Sequence, residues 1–327
     1  MQKYRQFHWL VLACSSVMAA QTTSHPAVVA RIVLTNNCFY HDPPPLTADN
    51  VILTQDYKPL PITTLVPLRG AQADLDLYVL VDGSANWELG ERLEDLLQFV
   101  SSQPPTTSIG VAYIQDGRLE VAQKPTHDRA QAIQALSPHS RSTPSNPFRP
   151  LAELIEGWHD DSSRHVVLMI SNGINPGATS GQQDASVEAA LHAAQRAAVA
   201  VYSIYNPGHD YLTTDSMALN WGQVQLAHLA IETGGAEYFQ GLGPLPSFAP
   251  SLAEMANSLA NQYLLEFVMN PETQGTLQDV SVRSKTPDVY VSAPWKVWVP
   301  APPTLNSDAS TKKTEIAGHK GTRRKSI

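Results

Sequence analysis

Cysteine is almost missing from this chain: only Cys14 and Cys38 occur in 327 residues. If an N-terminal leader is removed after Ala19 or Ala20, Cys38 stands alone. No intrachain disulfide can then form, and the fold must rest on its core. An unpaired Cys38 reads as a small buried hydrophobe. Basic charge is also scarce. The 22 Lys and Arg face 30 Asp and Glu, a formal net charge of −8, which argues against nucleic acid as a partner of the folded body. Past residue 20 no apolar run approaches the roughly 18 residues of a membrane-spanning helix, so no transmembrane span is expected once the leader is gone. Enzyme motifs are missing too. There is no Gly-x-Ser-x-Gly elbow to expose a nucleophilic serine, no His-x-x-x-His or His-Glu pattern suited to zinc, and no Gly-rich phosphate loop. The sequence argues against catalysis. A hydrolase using Ser84 is the enzymatic alternative, and it rests only on the place of Ser84 at a strand-to-helix turn.

What is present begins with an export signal over residues 1–20. Lys3 and Arg5 supply its positive end, Trp9 to Ala20 its apolar segment, and Ala19 or Ala20 a small-residue cleavage site. The expected destination is the periplasm or the medium. Val11-Leu12-Ala13-Cys14 loosely resembles a lipobox, so a lipoprotein anchored at Cys14 is the alternative. Residues 301–327 are polar and basic, with Lys312, Lys313, Lys320, Arg323, Arg324 and Lys325 against Asp308 and Glu315. That composition predicts a disordered tail.

Between these ends the patterning changes twice. Residues 28–70 read as an accessory β segment punctuated by proline, with strands at 28–34, 51–54 and 62–68. From residue 74 to 270 strands and helices alternate: strand 75–82, helix 85–102, a hairpin around Asp116-Gly117, and a helix over 127–136 capped by Thr126. Helix 148–158, strand 165–170, helix 184–198 and strand 199–204 follow. Helix 220–233 stops at Gly234-Gly235, ahead of strand 236–239, helix 248–261 and strand 262–269. This alternation predicts an α/β fold, a doubly wound, mostly parallel sheet flanked by helices, with the hairpin adding an antiparallel edge. Residues 278–299 return to β patterning and are expected to pack with the N-terminal β segment.

Strand 75–82 ends in Asp82-Gly83-Ser84-Ala85-Asn86. In open α/β sheets ligands bind at the carboxyl ends of the strands, so loops distant in sequence can meet there. The loop before helix 148–158 brings Thr143, Ser145 and Asn146, and the loop after strand 165–170 brings Ser171 and Asn172. All are hard oxygen donors suited to Mg²⁺ or Ca²⁺. Trp87 and the loop at His209 could add partner contacts beside this edge. His159, Asp160, Asp161 and His165 read as a solvated turn.

The chain resembles the von Willebrand factor type A family, specifically its exported bacterial branch known as acidobacterial VWFA-related proteins. Leu77-Tyr-Val-Leu-Val-Asp-Gly-Ser-Ala-Asn86 is similar to the family's strand followed by Asp-x-Ser-x-Ser. Leu46-Thr-Ala-Asp-Asn-Val-Ile-Leu-Thr-Gln-Asp-Tyr-Lys-Pro59, Pro125-Thr-His-Asp-Arg129, Leu229-Ala-Ile-Glu-Thr-Gly-Gly235 and Asn261-Gln-Tyr-Leu-Leu-Glu-Phe267 resemble further signatures of the branch in the right order. The resemblance implies a metal-ion-dependent adhesion site that carries over in part. Asp82 and Ser84 match its first two ligand positions, and Asn86 stands where a second Ser is expected. Ser145 stands at the Thr position, with Thr143 as the alternative, and Asn172 stands at the Asp of Thr-Asp-Gly. One of two carboxylates is thus neutral. Two readings follow. Either Mg²⁺ binds weakly, with a partner's acidic side chain completing it, or the site is metal-free, with Ser84 and Asn86 capping helix 85–102 and Asp82 accepting backbone N–H groups. The expected function is an exported, non-enzymatic, protein-binding module of adhesion or scaffold type. A metal-free structural component of a cell-envelope assembly is the alternative.

Overall fold

Strands buried on both faces cannot alternate apolar with polar residues, and Leu75–Asp82 does not. Its odd residues, Leu75, Leu77, Val79 and Val81, enter one apolar cluster, and Tyr78 and Leu80 enter another on the opposite face. Each such side chain buried contributes about 1.5–3 kcal/mol, so this segment sits at the centre of a sheet covered on both sides. The computed structural model describes residues 28–38, 42–86, 90–137, 142–158, 164–208, 212, 214–269 and 275–300, with backbone alone at 71, 85, 86 and 91.

In chain order the strands and helices are β1 (Val28–Cys38), β2 (Val51–Gln55), β3 (Lys58–Pro59), β4 (Ile62–Pro67), β5 (Leu75–Asp82), α1 (Gly83–Asn86), α2 (Gly90–Ser102), β6 (Thr107–Gln115) and β7 (Arg118–Thr126). Then come α3 (Arg129–Ala135), α4 (Phe148–Glu156), β8 (Arg164–Ser171), α5 (Ala185–Arg196), β9 (Ala200–Tyr205), α6 (Ser216–Glu232), β10 (Glu237–Tyr238) and α7 (Ala249–Ala260). Five more strands follow: β11 (Gln262–Met269), β12 (Thr276–Asp279), β13 (Ser281–Ser284), β14 (Val289–Ser292) and β15 (Lys296–Val299).

The main sheet has the order β10-β9-β8-β5-β6-β7, parallel except for β7, which returns antiparallel along β6. Leu96, Phe99, Met255 and Leu259 of α2 and α7 cover one face, and Phe148, Leu151, Leu191 and Leu229 of α4, α5 and α6 cover the other. A second layer is the antiparallel sheet β14-β1-β11-β4, with β12–β15 and β13-β2-β3 beside it. Its core joins Ile32 and Leu34 to Leu265, Phe267 and Val299. The C-terminal β strands do pack with the N-terminal ones: β14 pairs with β1, and β13 with β2.

Three local expectations need correction. Strand 262–269 does not join the parallel series; it lies antiparallel between β1 and β4. Its burial alternates along the strand, as a one-sided antiparallel sheet requires. The helix after β7 is capped by Asp128, not Thr126: the Asp128 side chain accepts from Ala130 N and Gln131 N, and Thr126 Oγ1 accepts from Asp128 N at 3.1 Å. Helix α6 begins at Ser216 rather than 220, because the Asp215 side chain accepts from Met217 N and starts it earlier.

A half-buried arginine ties the two layers together. Arg164, at the start of β8, donates to Leu259 O (3.0 Å), Gln262 Oε1 (2.6 Å) and Ala73 O (3.4 Å). Gln262 in turn donates to Thr35 Oγ1 (3.2 Å) and Tyr202 Oη (3.3 Å). Burial lowers the Arg164 pKa to about 10. Among the described residues the charge is held by three acceptors rather than a carboxylate.

Candidate functional site

Parallel pairing brings the ends of β5, β6 and β8 to one rim. Val81 lies opposite Ile170 and Asp82 opposite Ile114, so Ser171 and the Asp116-Gly117 turn flank Asp82. Asp82 itself is fully buried. Its Oδ1 accepts from Ser84 N (3.0 Å) and Ser84 Oγ (2.8 Å), and its Oδ2 accepts from Ser171 Oγ (2.7 Å). Ser171 Oγ accepts from Gly173 N at 3.0 Å. Burial raises the Asp82 pKa, and the bonds from Ser171 and Ser84 pull it partly back.

The neighbouring loop fits only because position 83 is glycine. A Cβ on Gly83 would come within 2.6 Å of Ile114 O and 2.8 Å of Ser142 Cβ. Ser142 N donates to Gly83 O at 3.3 Å. Buried Ser142 accepts from Asp116 N (2.6 Å) through its Oγ, which also lies 3.2 Å from Asp116 Oδ1. The same Oδ1 accepts from Thr143 N (2.9 Å) and Thr143 Oγ1 (2.8 Å). The Thr143 backbone and hydroxyl, then Ser142, hold the Asp116 carboxyl below its ordinary range. The rim therefore presents an ionised aspartate and a threonine at its surface, above a sealed aspartate.

The residues expected from the sequence divide accordingly. Asp82 and Ser84 meet directly. Asn172 does not take the second carboxylate's place: its Oδ1 accepts from Ile174 N at 2.9 Å and closes a turn of its own loop. Ser171, one residue earlier, reaches Asp82 instead, because alternate residues of a strand end face opposite ways. Ser145 lies by the β6–β7 turn, where a Cβ on Gly117 would sit 3.3 Å from its Cβ, and its Oγ is buried with no partner among the described residues. Thr143 is exposed and engaged with Asp116. Asn146 Oδ1 accepts from Phe148 N (2.9 Å) in the turn that leads into α4. Asn86 closes α1, with its side chain outside the described residues, as are Trp87, His159, Asp160, Asp161 and His209. Sequence reasoning placed Ser171 at the rim as an oxygen donor but gave the ligand position to Asn172, and it missed Asp116 and Ser142. The signal for Asp116 was its position in the hairpin that flanks β5.

Mg²⁺ takes carboxylate oxygens and keeps several waters. Asp82 offers one carboxylate, sealed from solvent and engaged by three donors, and the Asn172 oxygen is committed to a backbone N–H. Among the described residues no group of three His, Cys, Asp or Glu gathers to hold a metal. Among the described residues, those present do not fit the ion.

A six-stranded sheet, parallel but for one edge strand, covered by helices on both faces and with an Asp-x-Ser turn at its rim, decides the fold. It is a von Willebrand factor type A fold. No protein-family model matches the chain, and no curated protein matches it. Solved structures do. An aerotolerance-related membrane protein from Bacteroides fragilis aligns at 12% identity and TM-score 0.42, covering 57% of this chain and 98% of its own. The protein BatB from Bacteroides thetaiotaomicron aligns at 13% identity and TM-score 0.41, covering 57% and 97%. Proximal thread matrix protein 1 from the mussel byssus, solved with zinc in its MIDAS motif, aligns at 12% identity and TM-score 0.41, covering 60% and 48%. Likeness at this level carries no activity or ligand across.

Proposed function

We propose that this chain is a non-enzymatic protein-binding module that docks its partner at the rim without a resident metal. The observation that supports it is the division of labour between two aspartates. Asp82 is buried, so it fixes the loops, while Asp116 and Thr143 stand exposed, with the Asp116 carboxyl held ionised by Thr143 and Ser142. An acidic partner side chain was expected on the strength of a metal. With none to complete, and with Asp116 ionised on the rim, the fitting partner brings hydrogen-bond donors or a cation. Catalysis by Ser84 has no support, since its Oγ donates to a buried carboxylate and, among the described residues, no histidine bonds to it. The leader at Lys3 to Ala20 supports export, and no described helix is long and apolar enough to cross a membrane. The sealed Asp82 equally favours a second reading, a metal-free structural part of a cell-envelope assembly.

The test is a photo-reactive side chain at position 143 of the full chain, irradiated in cells. A discrete adduct that persists in chelator is expected. Failure to form one, while the same group at Tyr57 on the β2–β3 turn does, rejects the rim. An adduct that vanishes in chelator rejects metal-free docking.

A further inference from the structure

The other end of the parallel sheet carries a feature that the rim does not explain. β1 pairs with β11 along its length, from Val28 opposite Met269 to Thr35 opposite Gln262. Asn36 N donates to Asn261 O. In this antiparallel register the even residues turn their N–H and C=O toward β11, and Val29, Arg31 and Val33 turn theirs away. β14 takes up that far edge only between Thr35 and Cys38. Among the described residues no strand pairs with the rest.

A groove of about 310 Å³ runs along this edge. Five consecutive residues, Val29 to Val33, line it. One face of a strand would supply alternate residues only, so the groove follows the main-chain edge. Its opposite wall is α5 and β15. There the Arg196 guanidinium lies 5.2 Å from the Trp298 ring centroid, and Lys296 Nζ makes only a 4.0 Å contact with exposed Asp279. Gln195, 3% exposed, donates to Glu232 O but leaves its Oε1 buried without a partner. In an acidic protein this wall is cationic, and its floor lacks a donor.

We propose that the β1 edge from Val29 to Val33 is a strand-addition site for an extended acidic segment of a partner protein. The backbone groups of Val29, Arg31 and Val33 supply the ladder, and Arg196 and Lys296 select acidic side chains. A second copy of this chain is the poorer occupant. Its edge would bring Arg31, already paired with Glu266 Oε1 at 2.7 Å, and no acidic side chain to meet Arg196 and Lys296.

The probe is a blocked, fluorescent octapeptide alternating valine with glutamate, titrated into the full chain by anisotropy. Binding is expected, weakened about tenfold or more when lysine replaces glutamate. N-methylation of one alternate set of peptide amides should abolish binding, and methylation of the other set should leave it. The double substitution Arg196→Glu with Lys296→Glu should weaken the acidic peptide about tenfold. No binding, equal binding of both charge forms, or equal tolerance of both methylation patterns overturns the proposal. So does sedimentation showing a dimer that the peptide cannot displace. The outcome is independent of the rim: adduct formation at position 143 is unaffected by this peptide.

Discussion

Asp82 and Gln195 are both buried polar residues, at opposite ends of the main parallel sheet, and they are treated differently. At the carboxyl ends of β5 and β8 the Asp82 carboxylate receives three donors from two loops. At the opposite end, where β9 starts, Gln195 Oε1 receives none among the described residues, and three backbone pairs of β1 face a groove. Buried polar groups in folded proteins are nearly always satisfied. The bonded carboxylate reports what holds the rim loops together; among the described residues Ser145 Oγ at the rim and Gln195 Oε1 at the other end are buried without a partner. On this comparison Asp82 and Ser171 hold the rim loops together, and the groove along β1 is where a partner strand is proposed to add.

The comparison can be broken most forcefully at Asp82. Asp82→Ala strands Ser84 N, Ser84 Oγ and Ser171 Oγ, and should cost about 3 kcal/mol in urea denaturation. A loss of partner binding with full stability would instead make Asp82 a ligand. Asp82→Asn sharpens the point. Burial raises the Asp82 pKa, so the folded chain holds this proton more tightly than the unfolded chain. Stability then falls as pH climbs from the ordinary carboxyl range through the raised pKa. The Asn variant keeps the shape, loses that slope, and should be at least as stable as the parent, by about 1 kcal/mol, in denaturation at neutral pH. Asp128→Ala, at the α3 cap far from either end, should cost about 1 kcal/mol, setting the scale of an ordinary exposed cap. Smallest of all, millimolar Mg²⁺ or Zn²⁺ should leave the melting temperature unmoved. A rise that Asp82→Asn abolishes would restore the metal site.

Much of this architecture was legible in the residues. The apolar run into Asp82-Gly83-Ser84 announced a central buried strand, and Asp116-Gly117 announced the hairpin. The turn residue Asp116 was visible, but its grip on Thr143 depends on strand neighbours that sequence order does not state. For the same reason Gln262–Met269 looked like one more parallel strand, although its alternation already fitted a one-sided sheet. Asn172 was favoured over Ser171 by its place in the motif, whereas the facing of the last strand residue decides which of them reaches Asp82. The open edge of β1 was invisible, because an edge exists only once the neighbours on both sides are known.

Native-state amide hydrogen exchange on the full chain reads both ends at once. The account expects the Ser84 and Gly173 amides, donating to Asp82 Oδ1 and Ser171 Oγ, to be strongly protected, and those of Val29, Arg31 and Val33 to exchange rapidly. Fast exchange at Ser84 and Gly173 with slow exchange along β1 would contradict it.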